Sequence, residues 1–300
     1  MSIKEELLTN ISFEKKKNTR VLFKDEILNE SFLKDGFVVV DFLNALEIQE
    51  LINSYRTLQG DLGEAAFAST IMSKNPKYRF AVSSIVNTIF QRAIEELFID
   101  VKFFWGNFNI KYPNKKNGVV PLHQDPSFLD ERNFNPLGIW VPLVDTNQEN
   151  GALQVIPGSH TILDNPRCGG QLFPYSSIQD SLLENFGKSL FMKAGQAYIG
   201  NPALFHASPS NESLHPRIVA ACLAGPIESE LRYHHYKVTE EKEVAEMFEV
   251  DNSYYLSAPL FSKPNVTEYE LLESINIQKP PSREVLFQLL NQFNKREENV

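Results

Sequence analysis

The region between residues 101 and 226 most constrains what this chain can fold into. Its apolar runs are short, and Gly, Pro, Asn and Asp separate them. This alternation predicts a barrel or sandwich of antiparallel strands. The predicted strand runs are 101–112, 118–123, 137–144, 152–156, 190–192, 196–200, 203–206 and 217–224.

A strand and two helices are predicted on the N-terminal side of this region. Residues 36–42 are rich in β-branched and aromatic side chains, which favours a strand. Asn44 follows as a predicted N-cap, with Glu47 three residues later as its capping-box partner. Apolar residues then recur at helical spacing over 45–58 and again over 81–98, so we expect a helix in each segment.

Helical patterns return on the C-terminal side. Segments 269–275 and 283–293 each space their apolar residues as a helix does. The chain has no internal repeat and no low-complexity linker, which favours a single core. We therefore predict an N-terminal extension over 1–30, a β-rich main domain over 31–235, and a helical C-terminal extension over 236–300 that packs on the core.

Charge and cysteine content exclude several classes of protein. The net charge of −9 argues against nucleic-acid binding, which needs a basic face. Cys168 and Cys222 cannot form a disulfide framework, so a reduced compartment is favoured. No apolar stretch is long enough for a membrane span, the first residues lack the apolar core of a signal peptide, and Glu298-Asn299-Val300 is not a peroxisomal tripeptide. We expect a cytoplasmic protein without a membrane partner.

Two residues at the end of the predicted strand 118–123 suggest metal chemistry. His123 and Asp125 are two positions apart, and residues i and i+2 of an extended strand face the same side. An imidazole and a carboxylate do not complete a site, and His206 offers a third ligand from a distant strand. Two histidines and one carboxylate on one face, with the opposite face open, is the arrangement that holds non-haem Fe(II).

The motifs around these residues resemble those of the phytanoyl-CoA dioxygenase family, within the Fe(II)/2-oxoglutarate-dependent oxygenases. The resemblance covers residues 31–226. It rests on the motif His123-Gln124-Asp125, on the central runs 138–143 and 149–160, and on His206 followed by Arg217 at the family's spacing. A single His-x-Asp motif would be a weak signal, whereas these motifs occur in the family's order.

The resemblance implies a double-stranded β-helix, the cupin-like jelly-roll, with helices on both sides. It also implies that His123, Asp125 and His206 bind Fe(II), and that 2-oxoglutarate and O2 take the remaining positions. Arg217 would bind the far carboxylate of 2-oxoglutarate, because its planar fork forms two parallel charge-assisted bonds. The implied reaction hydroxylates an unactivated C–H bond of a small organic molecule and releases succinate and CO2.

Other candidate residues leave two interpretations open. Lys111 either contacts the cosubstrate or is exposed, and Trp140 either lines the cofactor site or fills the core. His160 is expected to be structural. His234 and His235 are adjacent and face opposite sides of a strand, so we expect them at the surface.

The substrate is less constrained by the sequence. The loop 127–134 follows the predicted ligands, and Phe128, Phe134 and Arg132 within it either contact substrate or form a solvated loop. The acidic chain offers no large basic surface for a CoA thioester, so a small natural product or an amino-acid-like molecule is preferred. Two other hypotheses are a catalytically silent relative that binds a ligand or partner, and a cupin-like enzyme that does not use 2-oxoglutarate. The complete ligand set argues against the first and Arg217 against the second, while the oligomeric state stays open.

Overall fold

The computed structural model describes residues 20–58, 60–62, 65–113, 118–240, 242–259 and 261–297. Most of the predicted N-terminal extension, residues 1–19, therefore lies outside the described part of the chain. The helices are α1 (Glu26–Asp35), α2 (Ala45–Thr57), α3 (Pro76–Leu97), α4 (Gln179–Phe186), α5 (Asn252–Ser257) and α6 (Arg283–Glu297). The strands are β1 (Phe37–Asp41), β2 (Phe67–Ser69), β3 (Val101–Lys111), β4 (Val120–His123), β5 (Leu137–Pro142), β6 (Leu153–Val155), β7 (Lys188–Leu190), β8 (Gln196–Gly200), β9 (His206–Ser208), β10 (Arg217–Pro226), β11 (Arg232–Val238), β12 (Glu243–Glu249) and β13 (Leu271–Asn276).

Two antiparallel sheets form the core. The larger has six strands in the order β1-β8-β5-β10-β3-β2, and the smaller has four in the order β4-β9-β6-β7. Neighbours in these sheets are mostly distant in sequence, and every pairing is antiparallel. This is the predicted jelly-roll, and each of the predicted strand runs overlaps an observed strand.

Helices α2 and α3 cover the outer face of the larger sheet. The predicted capping box is present at the start of α2, where the Asn44 side chain accepts from the Glu47 amide and the Glu47 carboxylate accepts from the Asn44 amide. Val82, Val86 and Phe90 of α3 are buried in the largest apolar cluster. None of the described helices is long and apolar enough to cross a lipid bilayer.

The C-terminal segment differs from the prediction. Helix α6 confirms the helix predicted over 283–293, but the helix predicted over 269–275 is wrong, because β13 occupies that segment. Strands β11, β12 and β13 form a third antiparallel sheet. The predicted helical extension over 236–300 therefore contains strands as well, and its boundary at residue 235 falls inside β11.

Candidate metal centre and its cavity

Strand pairing brings the two predicted histidine ligands together. His123 is the last residue of β4 and His206 the first of β9, and the two are direct partners in the antiparallel register. Their ring centroids are 4.2 Å apart. The backbone amide of Asp125 donates to the Pro202 carbonyl at 2.9 Å, which fixes the carboxylate beside both rings.

The imidazoles point their Nε2 atoms at the same carboxylate. His123 Nε2 lies 3.6 Å from one oxygen of Asp125, and His206 Nε2 lies 3.8 Å from the other. Each Nδ1 is 2.8 Å from a backbone carbonyl, that of Pro121 for His123 and that of Leu204 for His206. A carbonyl accepts only from Nδ1–H, so both Nε2 atoms keep a lone pair directed at the common centre.

The electrostatics of Asp125 and His206 suit a cation. Burial would raise the pKa of Asp125, but His206 and His123 lower that pKa to about 2. Burial, together with the charge of His123, lowers the pKa of His206 to about 4. Burial would also lower the pKa of His123, yet the adjacent Asp125 carboxylate raises that pKa above its usual value. At neutral pH the carboxylate is ionised and His206 is neutral, as metal ligation requires.

One ligand atom from each of His123, Asp125 and His206 lies within 4.8 Å of the other two. Within the described ranges this is the cluster of potential ligands that could hold a metal ion. The donor set, two imidazoles and one carboxylate, fits Fe(II) and leaves coordination positions open. The structure thus brings the three predicted ligands together, and their ligation of iron stays a prediction.

Arg217 is a buried cation at the start of β10. Its side chain is only 2% exposed, and its Nη1 donates to the Gly151 carbonyl and, at 3.0 Å, to Ser208 Oγ. Nε has no hydrogen-bond partner, and no carboxylate of the described residues pairs with Arg217. Its guanidinium carbon lies 5.1 Å from the Trp140 ring centroid, and burial lowers its pKa to about 9. A buried guanidinium without a carboxylate partner can bind an anion, and the binding of 2-oxoglutarate by Arg217 stays a prediction.

Gly151 is required where its carbonyl meets Arg217. Its φ is +73°, a conformation that disfavours side chains, and a Cβ there would collide with the Pro209 carbonyl. The backbone conformation and the close Pro209 carbonyl therefore explain the glycine in the Glu149-Asn150-Gly151 part of the motif.

Lys111 pairs with Arg217 in the register of β3 and β10. It is fully buried, so the prediction that it is exposed is wrong. Its ammonium donates to the carbonyls of Ser208 and Pro209, and it is not among the residues lining the cavity. Burial, with the adjacent Arg217 charge, lowers the pKa of Lys111 to about 7. These contacts hold the loop after β9, and contact with the cosubstrate stays a prediction.

A single cavity of about 610 Å³ contains the candidate metal centre and Arg217. Trp140 and Tyr198, paired across β5 and β8, form part of its wall. Trp140 therefore lines the interior, as one of its two interpretations predicts. The volume lies in the range of small-molecule sites, about 300–1,000 Å³.

The sequence analysis did not predict the contacts of Arg167 that hold the backbone of Asp125, which we call the brace. Arg167 donates from Nε to the Asp125 carbonyl at 2.6 Å, and its two Nη atoms bind the Glu131 carboxylate at 2.7 and 2.5 Å. Backbone and hydroxyl bonds also join Arg167 to Ser127. The sequence gives no signal for this contact, because Arg167 lies far along the chain from the loop that it binds.

His234 is the second feature that the sequence analysis misjudged. It was expected at the surface, yet it is 4% exposed, lines the cavity, and its Nδ1 is 2.8 Å from the Ser127 carbonyl. Its neighbour His235 is partly buried, so the surface prediction is wrong for His234 in particular. His160 is buried, with Nε2 3.3 Å from the Leu33 carbonyl, in agreement with a structural role.

The loop 127–134 contributes unevenly to the cavity. Phe128 lines it, whereas Phe134 packs against the aromatic cluster behind it. Arg132 is bound to Asp130 at 2.8 Å and to Glu273 at 2.9 Å, and is not a cavity residue. Of the predicted loop contacts, the structure therefore favours Phe128.

Comparison with known proteins points to one family. The profile of the phytanoyl-CoA dioxygenase (PhyH) family matches residues 32–219. Peroxisomal phytanoyl-CoA dioxygenase of Rattus norvegicus is 30% identical over 148 residues, which cover 47% of this chain and 43% of that protein. The phytanoyl-CoA dioxygenase domain-containing protein 1 homolog of Caenorhabditis elegans is 22% identical over 246 residues, covering 62% of this chain and 85% of that protein.

Among solved structures, the non-heme alpha ketoglutarate dependent carbocyclase SnoK from nogalamycin biosynthesis has a similar fold. The TM-score is 0.51 at 14% sequence identity, with 69% of this chain and 86% of that chain covered. The match to the rat enzyme, by contrast, spans less than half of that relative's length.

Proposed function

Because the chain belongs to the phytanoyl-CoA dioxygenase family, we propose that it is an Fe(II)- and 2-oxoglutarate-dependent dioxygenase. It hydroxylates an unactivated C–H bond of a small organic substrate and releases succinate and CO2. The observation that carries this proposal is the convergence of His123, Asp125 and His206 in one cavity with the unpaired guanidinium of Arg217.

The three candidate ligands are preorganised for a divalent ion. The carbonyls of Pro121 and Leu204 hold the two imidazoles in the tautomer that directs Nε2 inward. The carboxylate of Asp125 is ionised at neutral pH and supplies the negative charge. When bound, Fe(II) and 2-oxoglutarate supply the oxidative chemistry that places an oxygen atom of O2 into the substrate.

Arg217 gives the site its selectivity for a dicarboxylate. A buried guanidinium without a carboxylate partner is costly, and an anionic cosubstrate removes that cost. The Gly151 carbonyl and Ser208 Oγ bind Nη1 and fix the fork, while none of the described carboxylates pairs with it. Trp140 lies beside the guanidinium and restricts its movement.

The cavity wall orients the substrate and limits water. Ala221 of β10 is paired with Asn107 on one side and with Trp140 on the other, so a continuous row of cavity residues crosses the sheet. Side chains on such a rigid sheet hold a substrate C–H in a fixed position, and positioning contributes several kcal/mol to catalysis.

The test is turnover of 2-oxoglutarate. Protein supplied with Fe(II), 2-oxoglutarate, O2 and a panel of small organic molecules should form succinate and hydroxylated product in equal amounts. Asp125→Ala protein is the matched control and should form neither. Absence of succinate from the iron-loaded protein across the panel, together with no detectable binding of 2-oxoglutarate, would contradict the proposal and favour the catalytically silent alternative.

We also propose a cytoplasmic location. Cys168 and Cys222 are both buried as free thiols, which supports a reducing compartment. The relative in Rattus norvegicus is described as peroxisomal. Imaging of a fluorescent fusion in the source cells distinguishes the two compartments.

A further inference from the structure

Residues beyond 219, where the family match ends, join residues from within it to form a second part of the cavity. We call it the aromatic lobe. It consists of Trp105, Phe128, Tyr233, Tyr254, Tyr255 and Phe261, all of which line the cavity. Tyr233 comes from β11, while Tyr254 and Tyr255 come from α5. The segment that sequence analysis treated as a helical cover therefore supplies much of this wall.

The aromatic lobe presents ring surfaces. Trp105 stacks on Tyr255 with centroids 4.3 Å apart and meets Phe128 edge-on at 5.0 Å. The Tyr255 hydroxyl donates to the Arg232 carbonyl at 2.6 Å, and the Tyr254 hydroxyl donates to the Ser262 carbonyl. Because backbone carbonyls already bind both hydroxyls, these tyrosines offer rings to the cavity.

The lobe lies at the opposite end of the cavity from the predicted cosubstrate site. Arg217, Ala221 and Leu223 of β10 all line the cavity, and Leu223 packs in the same cluster as Trp105. At the usual strand rise, Arg217 and Leu223 are about 20 Å apart. Phe128 is three residues after Asp125, so the lobe begins next to the candidate metal centre. A molecule in the lobe can thus reach that centre without displacing the ligand of Arg217.

The lobe lacks a counter-ion for a charged substrate. Apart from histidines, the described residues that line the cavity include only two charged side chains, Asp125 and Arg217. The proposed function assigns both to the metal and to 2-oxoglutarate. The polar side chains left near the lobe, such as Asn107 and Gln171, are neutral. Burying an ionised group without a partner is strongly unfavourable.

We propose that the substrate is an uncharged, mainly apolar molecule with a planar ring system, which binds in the aromatic lobe. This proposal rests on the proposed function, since it places the substrate beside the candidate metal centre. Aromatic side chains favour stacked and edge-on contacts with such rings. A CoA thioester, which carries several phosphate charges, has no partner for them in this lobe.

The tryptophans make the two ends of the cavity separately observable. The chain has two tryptophans, Trp105 in the lobe and Trp140 beside Arg217. Trp140→Phe protein reports on the lobe, and Trp105→Phe protein reports on the 2-oxoglutarate end. The probes are para-nitroanisole, which is neutral, para-nitrobenzoate, its anionic counterpart of similar size, and benzoyl-CoA. Nitroaromatic rings quench tryptophan emission on contact.

In anaerobic, iron-loaded Trp140→Phe protein, para-nitroanisole should quench Trp105 with a Kd at least tenfold below that of para-nitrobenzoate. Benzoyl-CoA should not compete. Equal or tighter binding of para-nitrobenzoate, or competition by benzoyl-CoA, would overturn the proposal. In Trp105→Phe protein, 2-oxoglutarate should change the emission of Trp140. Absence of that response, while para-nitroanisole still quenches Trp105 in the Trp140→Phe protein, would refute the proposed function and leave the lobe's preference intact.

A substitution in the lobe should reverse the preference. Phe128→Lys, made in the Trp140→Phe background, introduces a cation beside Trp105, so para-nitrobenzoate should then bind more tightly than para-nitroanisole. Phe191→Lys is the matched control, because Phe191 is 63% exposed and lies outside the cavity. It should leave the preference unchanged. An unchanged preference in folded Phe128→Lys protein would contradict the proposed location, and if that variant does not fold, the comparison of probes decides alone.

Discussion

Replacement of Arg167 by Met tests whether the brace behind Asp125 serves the metal centre. Arg167 and Glu131 form a bidentate pair, and their side chains are 11% and 19% exposed. Breaking a buried pair costs about 3–5 kcal/mol, because it leaves one charge without a partner. Since solvent reaches both side chains slightly, we expect a loss near the lower limit, about 3 kcal/mol of unfolding free energy.

The same substitution should weaken iron binding by a separate route. Arg167 Nε holds the Asp125 carbonyl at 2.6 Å, and loss of a group that orients a metal ligand lowers metal affinity by about 10–100-fold. The two effects can be separated in the double variant Arg167→Met/Glu131→Leu. It no longer strands a carboxylate, so we expect it to regain stability but not iron affinity.

Urea unfolding measures the stability, and anaerobic calorimetry with Fe(II) measures the affinity. Lys193→Met is the matched control, since the side chains of Lys193 and of its partner Asp145 are 80% and 54% exposed. It should change stability far less than Arg167→Met does and leave iron affinity unaltered. The reasoning would be refuted if Arg167→Met kept normal iron affinity, or if the double variant recovered it.

Three further predictions concern single residues. Arg217→Ala should lower the affinity for 2-oxoglutarate well over tenfold, because losing a charged pair costs roughly 2–5 kcal/mol, and Arg217→Lys should recover only part of that affinity. Calorimetry measures the affinity and metal analysis should show normal iron content, whereas unchanged affinity would contradict the role of Arg217. Asp125→Ala should abolish both iron binding and turnover, since two imidazoles hold Fe(II) poorly; near-normal iron content in metal analysis would show the ligand assignment to be wrong. Asn44→Ala should cost about 1 kcal/mol in urea unfolding without altering turnover, and no loss of stability would exclude a capping role.

The core of the fold was predictable because its signals are local. Each strand between residues 101 and 226 is a short apolar run bounded by turn-forming residues, and each predicted run overlaps a strand of the structure. His123 and Asp125 were recognisable as a pair because they are close in sequence. The family resemblance supplied His206 as the third ligand, but the pairing of β4 with β9 that brings it close is shown by no local pattern.

The third sheet was missed because its composition favours helix. Residues 269–275 include Leu and Glu, which are good helix formers, and the segment becomes β13 because β12 offers it an open edge. In β12, Glu246 is buried between Lys237 and Lys263, at 2.8 and 2.6 Å, so a charged residue in the strand is compensated. Such long-range compensation has no counterpart in the periodicity of the sequence.

The same reason explains the errors at single residues. Lysine is usually a surface residue, and Lys111 can be buried only because its ammonium donates to the carbonyls of Ser208 and Pro209. His234 is adjacent to His235, which suggested exposure, yet it faces the cavity because the loop after Asp125 packs on β11 through Ser127. In both cases the deciding partner is about 100 residues away in the chain.

The most direct test of the central proposal is an anaerobic calorimetric titration of 2-oxoglutarate into the protein with and without Fe(II). The account predicts saturable binding at one site in the iron-loaded protein, much weaker binding without the metal, and at least a tenfold loss in iron-loaded Arg217→Ala. Absence of binding to the folded, iron-loaded protein would contradict the assignment of this cavity to 2-oxoglutarate. Equal binding to the wild-type and Arg217→Ala proteins would contradict the role of Arg217 in it.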